Sequence, residues 1–333
     1  MSETDPLYKE IQITKIIAET HEAKSFEFIA KGDWNTNYQA GQFITLVFNN
    51  KGKEDRRSYS FSSAPVLNEP MRITVKRIAN GEYSRHLIHH VSEGDVLNSS
   101  GISGFFKLPE NFSDVKHFFF LAAGSGITPV YSLLKTLLYT TDTTVTLVYS
   151  NHNEKSTIFY KELLQLQLQF EERFKIQFLF SHINNIHKSR LSKWVLTELL
   201  VQFNIPLQET LFYMCGPVDY MLMAGITLVT AGVPQRNIKK EIFSTQKHHV
   251  KPVPPDTDKH EAELHINDHV YKLQVQYPDT ILAAAKKQNI HLPYSCEAGN
   301  CGSCAATCTK GKVWMAYNEV LMDDEIAKGK ILT

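Results

Sequence analysis

Residues 293–304 read PYSCEAGNCGSC, and no other stretch constrains the chain as strongly. Cys296, Cys301 and Cys304 are spaced C-x4-C-x2-C, with Gly299 and Gly302 among them. Thiolates converging on metal need a loop that wraps it, and glycines let backbone pass close by. Amide N–H groups in such a loop can bond the sulfurs and tune a potential. This spacing is one that holds a [2Fe–2S] cluster. Four of the five cysteines lie between Cys296 and Cys308, whereas a disulfide framework spreads them out. With Cys308 the run becomes C-x4-C-x2-C-x3-C, which admits a four-sulfur zinc site as a second reading. Zinc ribbons, however, draw ligands from two separated knuckles.

The rest of the chain must supply electrons to such a site. Its 333 residues allow two or three domains, and 43% hydrophobic content fills more than one core. A formal net charge of zero, with no basic block, argues against nucleic acid as a partner. The first fifteen residues lack a charged n-region followed by an apolar stretch, so no signal peptide is expected. The most apolar segment, residues 117–130, is short and broken by Gly124 and Gly126, so no membrane span is expected. Clustered thiols fit a reducing compartment, and the expected location is cytoplasmic.

Periodicity divides the chain. IQITKIIAE, AKSFEFIA, QFITLVF, RSYSFSS and MRITVKRI are β-branched and aromatic runs punctuated by Gly, Asn, Asp and Pro. They predict an antiparallel β-barrel over residues 1–112, interrupted by a helix near Tyr83 to His90. From residue 113 to 245, apolar strands alternate with helix-period segments, as in HFFFLAA, PVYSLLKTLLY and TVTLVYS. That alternation predicts an α/β domain with a parallel sheet. Residues 246–260 are polar, proline-rich and aperiodic, and read as a linker. In residues 261–333 a hairpin turning at Asn267-Asp268 precedes a helix, TILAAAKKQ, with Asp279 as its expected N-cap.

Residues 279–333, with the cysteine loop and LMDDEIAKGKILT, resemble a plant-type ferredoxin domain of β-grasp fold. In that family a Gly-x-x-Leu segment runs into a fourth cysteine, roughly thirty residues past the third. Counted from Cys304, that position falls one residue past Thr333. The resemblance therefore predicts a domain lacking its last ligand and last strand, with Cys308 at a strand position rather than as a ligand.

Two further motif sets complete the resemblance. RSYS, at residues 57–60, is similar to the R-x-Y-S motif of the ferredoxin–NADP reductase superfamily. The resemblance implies that Arg57 meets a flavin phosphate, Tyr59 packs on the flavin and Ser60 reaches the hydride-accepting ring edge. Ser58, Val75 and Lys76 join this cofactor set. Gly81 and Ser84, in GEYS, resemble the second pyrophosphate segment of FAD-type members. GISGFF resembles the G-P-x-G-x-F turn, with Ile102 in place of proline. GSGITP, with Gly124, Gly126 and Thr128, follows an apolar run and opens a helix-period segment, where glycines and a helix N-terminus suit a pyrophosphate. Cys215-Gly216-Pro217 implies a thiol near the nicotinamide, and Glu241 and Phe243 form the ExF segment beside the hydride path. The implied catalytic residues are Ser60, Cys215 and Glu241. Ser181 and Arg190 can supply a 2′-phosphate site, and His152 stands where related chains often have arginine. The choice between NADPH and NADH leans to NADPH.

The three motif sets, in this order, resemble the phthalate dioxygenase reductase group and the reductase components of phenylacetyl-CoA oxygenase. They imply electron flow from NAD(P)H through FAD and [2Fe–2S] to a separate one-electron acceptor bound transiently. That acceptor is expected to be a multicomponent oxygenase. A reductase for ferredoxin or a hybrid-cluster protein is one alternative. A flavin diaphorase with a non-redox metal or partner-binding module is another.

Overall fold

The computed structural model describes residues 8–50, 52–183, 185, 189–244, 252–266 and 269–333. It divides into two compact units, with one boundary between Phe243 and Ser244.

The larger unit begins with six antiparallel strands: β1 (Lys9–Thr20), β2 (Ala23–Lys31), β3 (Phe43–Asn50), β4 (Lys53–Ser60), β5 (Met71–Lys76) and β6 (Val96–Ser103). Their order is β4-β3-β6-β1-β2-β5. An antiparallel bridge between Phe61 and Ile73 joins the two edge strands and closes the sheet into a barrel. Closure removes the exposed edges that would otherwise invite pairing with another chain. Alternation along β1 and β2 sends Ile11, Ile13, Phe26 and Phe28 inward, where they meet Ile44, Leu46, Ile73 and Val75. The helix α1 (Glu82–His90) adds Leu87 and Ile88 to this core.

Five parallel strands follow: β7 (His117–Ala123), β8 (Thr144–Asn151), β9 (Phe174–Phe180), β10 (Thr210–Cys215) and β11 (Ile238–Glu241). Their order is β11-β10-β7-β8-β9, so β7 is central. A central strand is buried on both faces, which explains its unbroken apolar run. Phe118 and Phe120 face one core, with helices α2 (Ile127–Thr140) and α3 (Tyr160–Gln169). Phe119 and Leu121 face the other, with α4 (Lys193–Gln202) and α5 (Val218–Thr230).

The barrel and the parallel sheet share one unit. Phe106 and Ala40, from the barrel side, sit in the α2 core. Ser132 Oγ on α2 donates to Ser63 O at 2.6 Å. Lys135, one turn on, is buried and paired with Glu69. Burial pushes its pKa down to about 8, against the pull of Glu69. A lysine so buried needs its partner, because stripping water from a lone charge is costly.

In the second unit β12 (His260–Ile266) pairs antiparallel with β13 (His269–Val275), and β14 (Ala305–Thr307) with β15 (Lys330–Leu332). The helices are α6 (Ile281–Lys287) and α7 (Asp323–Ala327). Leu273, Ala284, Ala285 and Ile290 form a small core. The expected turn at Asn267-Asp268 lies outside the described residues, as do residues 246–251 of the expected linker.

One local expectation is corrected. The N-cap of α6 is Thr280, whose hydroxyl accepts from Ala283 N at 3.1 Å. Asp279 lies one residue too early and pairs instead with Lys287, at 2.5 Å.

Candidate functional site

The flavin motif ends where β4 leaves the barrel. Ser60 is buried there, and its hydroxyl donates to Glu241 Oε2 at 3.1 Å, across 181 residues of sequence. Glu241 ends β11, at the carboxyl edge of the parallel sheet. The residue is partly exposed, but its carboxyl is desolvated. Burial pushes its pKa up to about 8, against the hydrogen bond from Ser60. The carboxyl therefore holds its proton through neutral pH.

Cys215 ends β10, next to β11, and is fully buried. Burial pushes its thiol pKa well up, so it stays protonated. The next strand inward, β7, leads into Gly124–Gly126 and α2. A Cβ on Gly126 would lie 2.0 Å from Cys215 O. Only glycine lets the two turns approach this closely. Gly216 is similarly tight, its Cβ position being 3.0 Å from Ala123 Cβ. Thr128 Oγ1 donates to Ser125 O at 3.0 Å and braces the turn. Pro217 is the N-cap of α5, and Phe243 is 43% exposed beyond β11.

Four strand ends thus converge: Ser60, Cys215 and Glu241 meet around the Gly124–Gly126 turn. The remaining flavin residues line the same strands. Arg57 lies over the Tyr83 ring, 4.8 Å from its centroid, and Tyr83 donates to Asp55 at 2.7 Å. Ser58 and Thr45 share a hydrogen bond of 2.9 Å. Tyr59 is largely desolvated, which raises its phenol pKa and keeps it neutral. Val75 points into the barrel core, so only its backbone faces outward. Lys76 Nζ is 3.9 Å from the Cβ position of Gly124, linking the barrel to the turn. Ser84 Oγ accepts from Ile78 N and donates to Gly81 O, closing the turn that starts α1.

At the neighbouring strand ends, Ser181 Oγ lies 3.1 Å from His152 Nδ1. Arg190 is exposed in the bend before α4. Asn151 Nδ2 is buried there with no hydrogen-bond partner among the described residues. An orphaned donor at the carboxyl edge of a parallel sheet fits a nucleotide site. His182 also joins this edge, although the sequence alone did not single it out. The available signal was its position as the second polar residue after an apolar strand.

The cysteine loop is built by contiguous residues. Ala298 N and Asn300 N both donate to Cys296 Sγ at 3.4 Å, and Ser303 N donates to Cys301 Sγ at 3.5 Å. Glu297 and Gly299 take positive φ, 51° and 73°, which turns these amides inward. A Cβ on Gly299 would meet Tyr317 O at 2.7 Å. The hydrogen bond from Cys301 lowers the Cys296 pKa, while the same bond raises that of Cys301, so the pair shares a proton. Burial raises Cys304. Thr333 packs on it, donating from N and Oγ1 to Cys304 O at 3.2 Å. Among the described residues no group of three or more His, Cys, Asp or Glu side chains is arranged to hold a metal ion. Amides aimed at sulfur are nevertheless the donor set that a thiolate-bound cluster requires.

A barrel, a parallel sheet with a nucleotide turn and a thiol loop define a flavin-linked electron-transfer oxidoreductase. Known proteins agree. A family model for the oxidoreductase FAD-binding domain matches residues 10–108, and one for the oxidoreductase NAD-binding domain matches 120–225. A model for the 2Fe-2S iron-sulfur cluster binding domain matches 264–333. The chain is 31% identical over 341 residues to the ferredoxin reductase component of 3-ketosteroid-9-alpha-monooxygenase from Mycobacterium tuberculosis (strain H37Rv), covering 97% of this chain and 91% of the relative. It is 27% identical to the glycine betaine monooxygenase reductase component of Pseudomonas aeruginosa (strain UCBPP-PA14), covering 97% and 91%. It is also 29% identical to a component of the 1,2-phenylacetyl-CoA epoxidase of Escherichia coli (strain K12), covering 98% and 94%. The solved structure of phthalate dioxygenase reductase superposes with a TM-score of 0.61 at 25% identity, covering 97% and 92%. The chain belongs to the ferredoxin reductase superfamily, in the group that carries a 2Fe-2S domain. It is an NAD(P)H-dependent oxidoreductase whose cofactors are FAD and [2Fe–2S]. Among the described residues, no helix is long and apolar enough to cross a membrane.

Proposed function

We propose that this reductase draws hydride from NAD(P)H at the Ser60–Cys215–Glu241 centre and delivers single electrons through its thiol loop to a separate oxygenase component. The flavin supplies the conversion between two-electron and one-electron transfer. Three lines support an oxygenase as acceptor: the relatives named as monooxygenase components, the domain order, and a C-terminal unit built for one-electron exchange.

The Ser60–Glu241 hydrogen bond carries this reading. It joins the barrel, which would hold the flavin, to the sheet edge that would hold the nicotinamide. Arg57, Ser58, Tyr59 and the backbone at Val75 and Lys76 would bind the flavin, with Gly81 and Ser84 at its diphosphate. Gly124, Gly126 and Thr128 would cradle the donor's pyrophosphate, and Cys215, Gly216 and Pro217 would place its nicotinamide. Phe243 would cover the exposed flavin face. Glu241 holds a proton below about pH 8 and can exchange it through Ser60. Cys296, Cys301 and Cys304 would ligate the cluster. All five cysteines are free thiols, which supports a cytoplasmic location.

Anaerobic stopped-flow mixing with NAD(P)H tests the order of carriers. Flavin absorbance should bleach before the cluster signal changes. Cluster reduction preceding flavin bleaching would overturn the scheme. Turnover with purified oxygenase components tests the acceptor, and an oxygenase that stays oxidised while free ferredoxin is reduced would remove it.

A further inference from the structure

The helix α1 reads EYSRHLIHH, so three of its nine residues are histidines, against fourteen in all 333. Packing does not account for them. Tyr83, Ser84, Leu87 and Ile88 are buried, and the two aliphatic residues fix the helix on the barrel core. Glu82, Arg85, His86, His89 and His90 are exposed on the other face. With Asn80 they line one open surface depression.

His86 and His90 stand one turn apart, at the i,i+4 spacing that sets side chains next to each other. Their ring centroids are 5.7 Å apart and their planes meet at 33°. Two imidazoles on one zinc ion, each bound through nitrogen at about 2.0–2.1 Å, bring their centroids to roughly 5 Å at a tetrahedral angle. The pair is therefore a small side-chain rotation away from a chelate. Phe48 on β3 meets the His86 ring edge-on, 6.3 Å away at 87°, and limits its freedom. His89 is placed differently. Its ring lies 6.4 Å from that of His90 at 69°, and sequence neighbours do not face each other on a helix.

The electrostatics admit a cation. Arg85 and Glu82 carry opposite signs, so with neutral imidazoles the face has no net formal charge. Glu82 is engaged with Asn50, whose Nδ2 donates to Oε1 at 2.7 Å. The pair occupies the last turn of α1, where carbonyl groups favour positive charge. Lys24 already uses one of them, donating from Nζ to Ile88 O at 2.7 Å.

We propose that His86 and His90 form a surface chelate for a divalent transition-metal ion of the zinc, nickel and copper kind. Imidazole suits these ions, whereas magnesium and calcium are held through oxygen. The two side chains fill two coordination positions and water fills the rest. This agrees with the absence of any group of three or more candidate ligands among the described residues. The ion clasps the last turn of α1 against the barrel. Neither histidine belongs to the hydride route, so the proposal stands apart from the reductase reading.

Calorimetric titration of the untagged holoenzyme with zinc chloride tests this. Wild type should show a binding component that the His86→Gln/His90→Gln variant lacks. Zinc taken up by the cysteine loop appears in both and cancels in the difference. Each single variant should weaken that component by roughly tenfold or more, since losing even an outer partner of a metal ligand costs that much. His89→Gln should leave it unchanged, and magnesium chloride should not produce it. Zinc should also raise the unfolding midpoint of wild type above that of the double variant, because the ion binds the folded helix. Equal zinc binding by wild type and the double variant would overturn the proposal. So would a loss in His89→Gln as large as in His90→Gln, or uptake of magnesium by the same pair.

Discussion

The proposed hydride centre and the thiol loop are built in opposite ways. In the loop, Cys296, Cys301, Cys304 and the amides that serve their sulfurs lie within nine residues. Three positive-φ positions, Glu297, Gly299 and Gly302, do the shaping. The hydride centre draws Ser60 from a barrel strand, Cys215 and Glu241 from neighbouring parallel strands, and Gly126 from the turn between β7 and α2. A local site depends on turn chemistry. A composite site depends on packing of the whole unit, so distant changes in the core should reach it first.

Substitutions can separate these dependencies. Cys301→Ser should have the largest effect: visible [2Fe–2S] absorbance and reduction of a protein acceptor should vanish. NAD(P)H–ferricyanide turnover should stay within about twofold, because the two sites belong to separate compact units that share no residues. Loss of both activities would show that the sites are coupled.

Glu241→Gln should slow flavin reduction about 10²-fold, the scale of a lost positioned proton donor. It also carries a pH signature. The folded pKa of about 8 lies above the ordinary carboxyl value of 4.5, so the native state holds this proton more tightly than the unfolded chain. That contribution is complete below pH 4.5 and is lost as pH rises through 8. The variant, read by denaturant unfolding, should therefore gain on wild type between these values and level off above them. A constant difference would mean that Glu241 is not held protonated.

Gly126→Ala drives a methyl to within 2.0 Å of Cys215 O. Overpacking of this kind costs about 1–3 kcal/mol. It should raise the donor KM and lower the unfolding midpoint together, with cluster absorbance intact. Thr280→Ala should have the smallest effect, about 1 kcal/mol for a lost N-cap. It should appear as faster bleaching of the cluster on warming, with donor KM unchanged. A change in donor KM would again argue against independence.

The same contrast explains what could be read from the residues alone. The cysteine spacing and GSGITP were legible because each is a contiguous segment whose turn geometry demands those residue types, and RSYS because it is a contiguous motif at the end of β4. The central strand was legible because burial on both faces leaves an unbroken apolar run. The cap of α6 was misplaced by one residue because Asp279 and Thr280 are both good caps. Backbone geometry, which the sequence does not display, chose Thr280. The Lys135–Glu69 pair gave no signal, since 66 residues separate its members and each resembles an ordinary surface charge. His182 was hidden for the same reason: it meets His152 only across the strand ends.

The 181-residue span between Ser60 and Glu241 has a consequence in time. At 5–20 residues per second, a ribosome needs about 10–40 s to travel from one to the other. Throughout that interval a growing chain displays its barrel strands without the carboxyl that completes them. On the proposed role of Glu241, electron uptake from the donor waits until the last parallel strand has been made and docked. Chains abandoned before that point hold the flavin motif but lack Glu241.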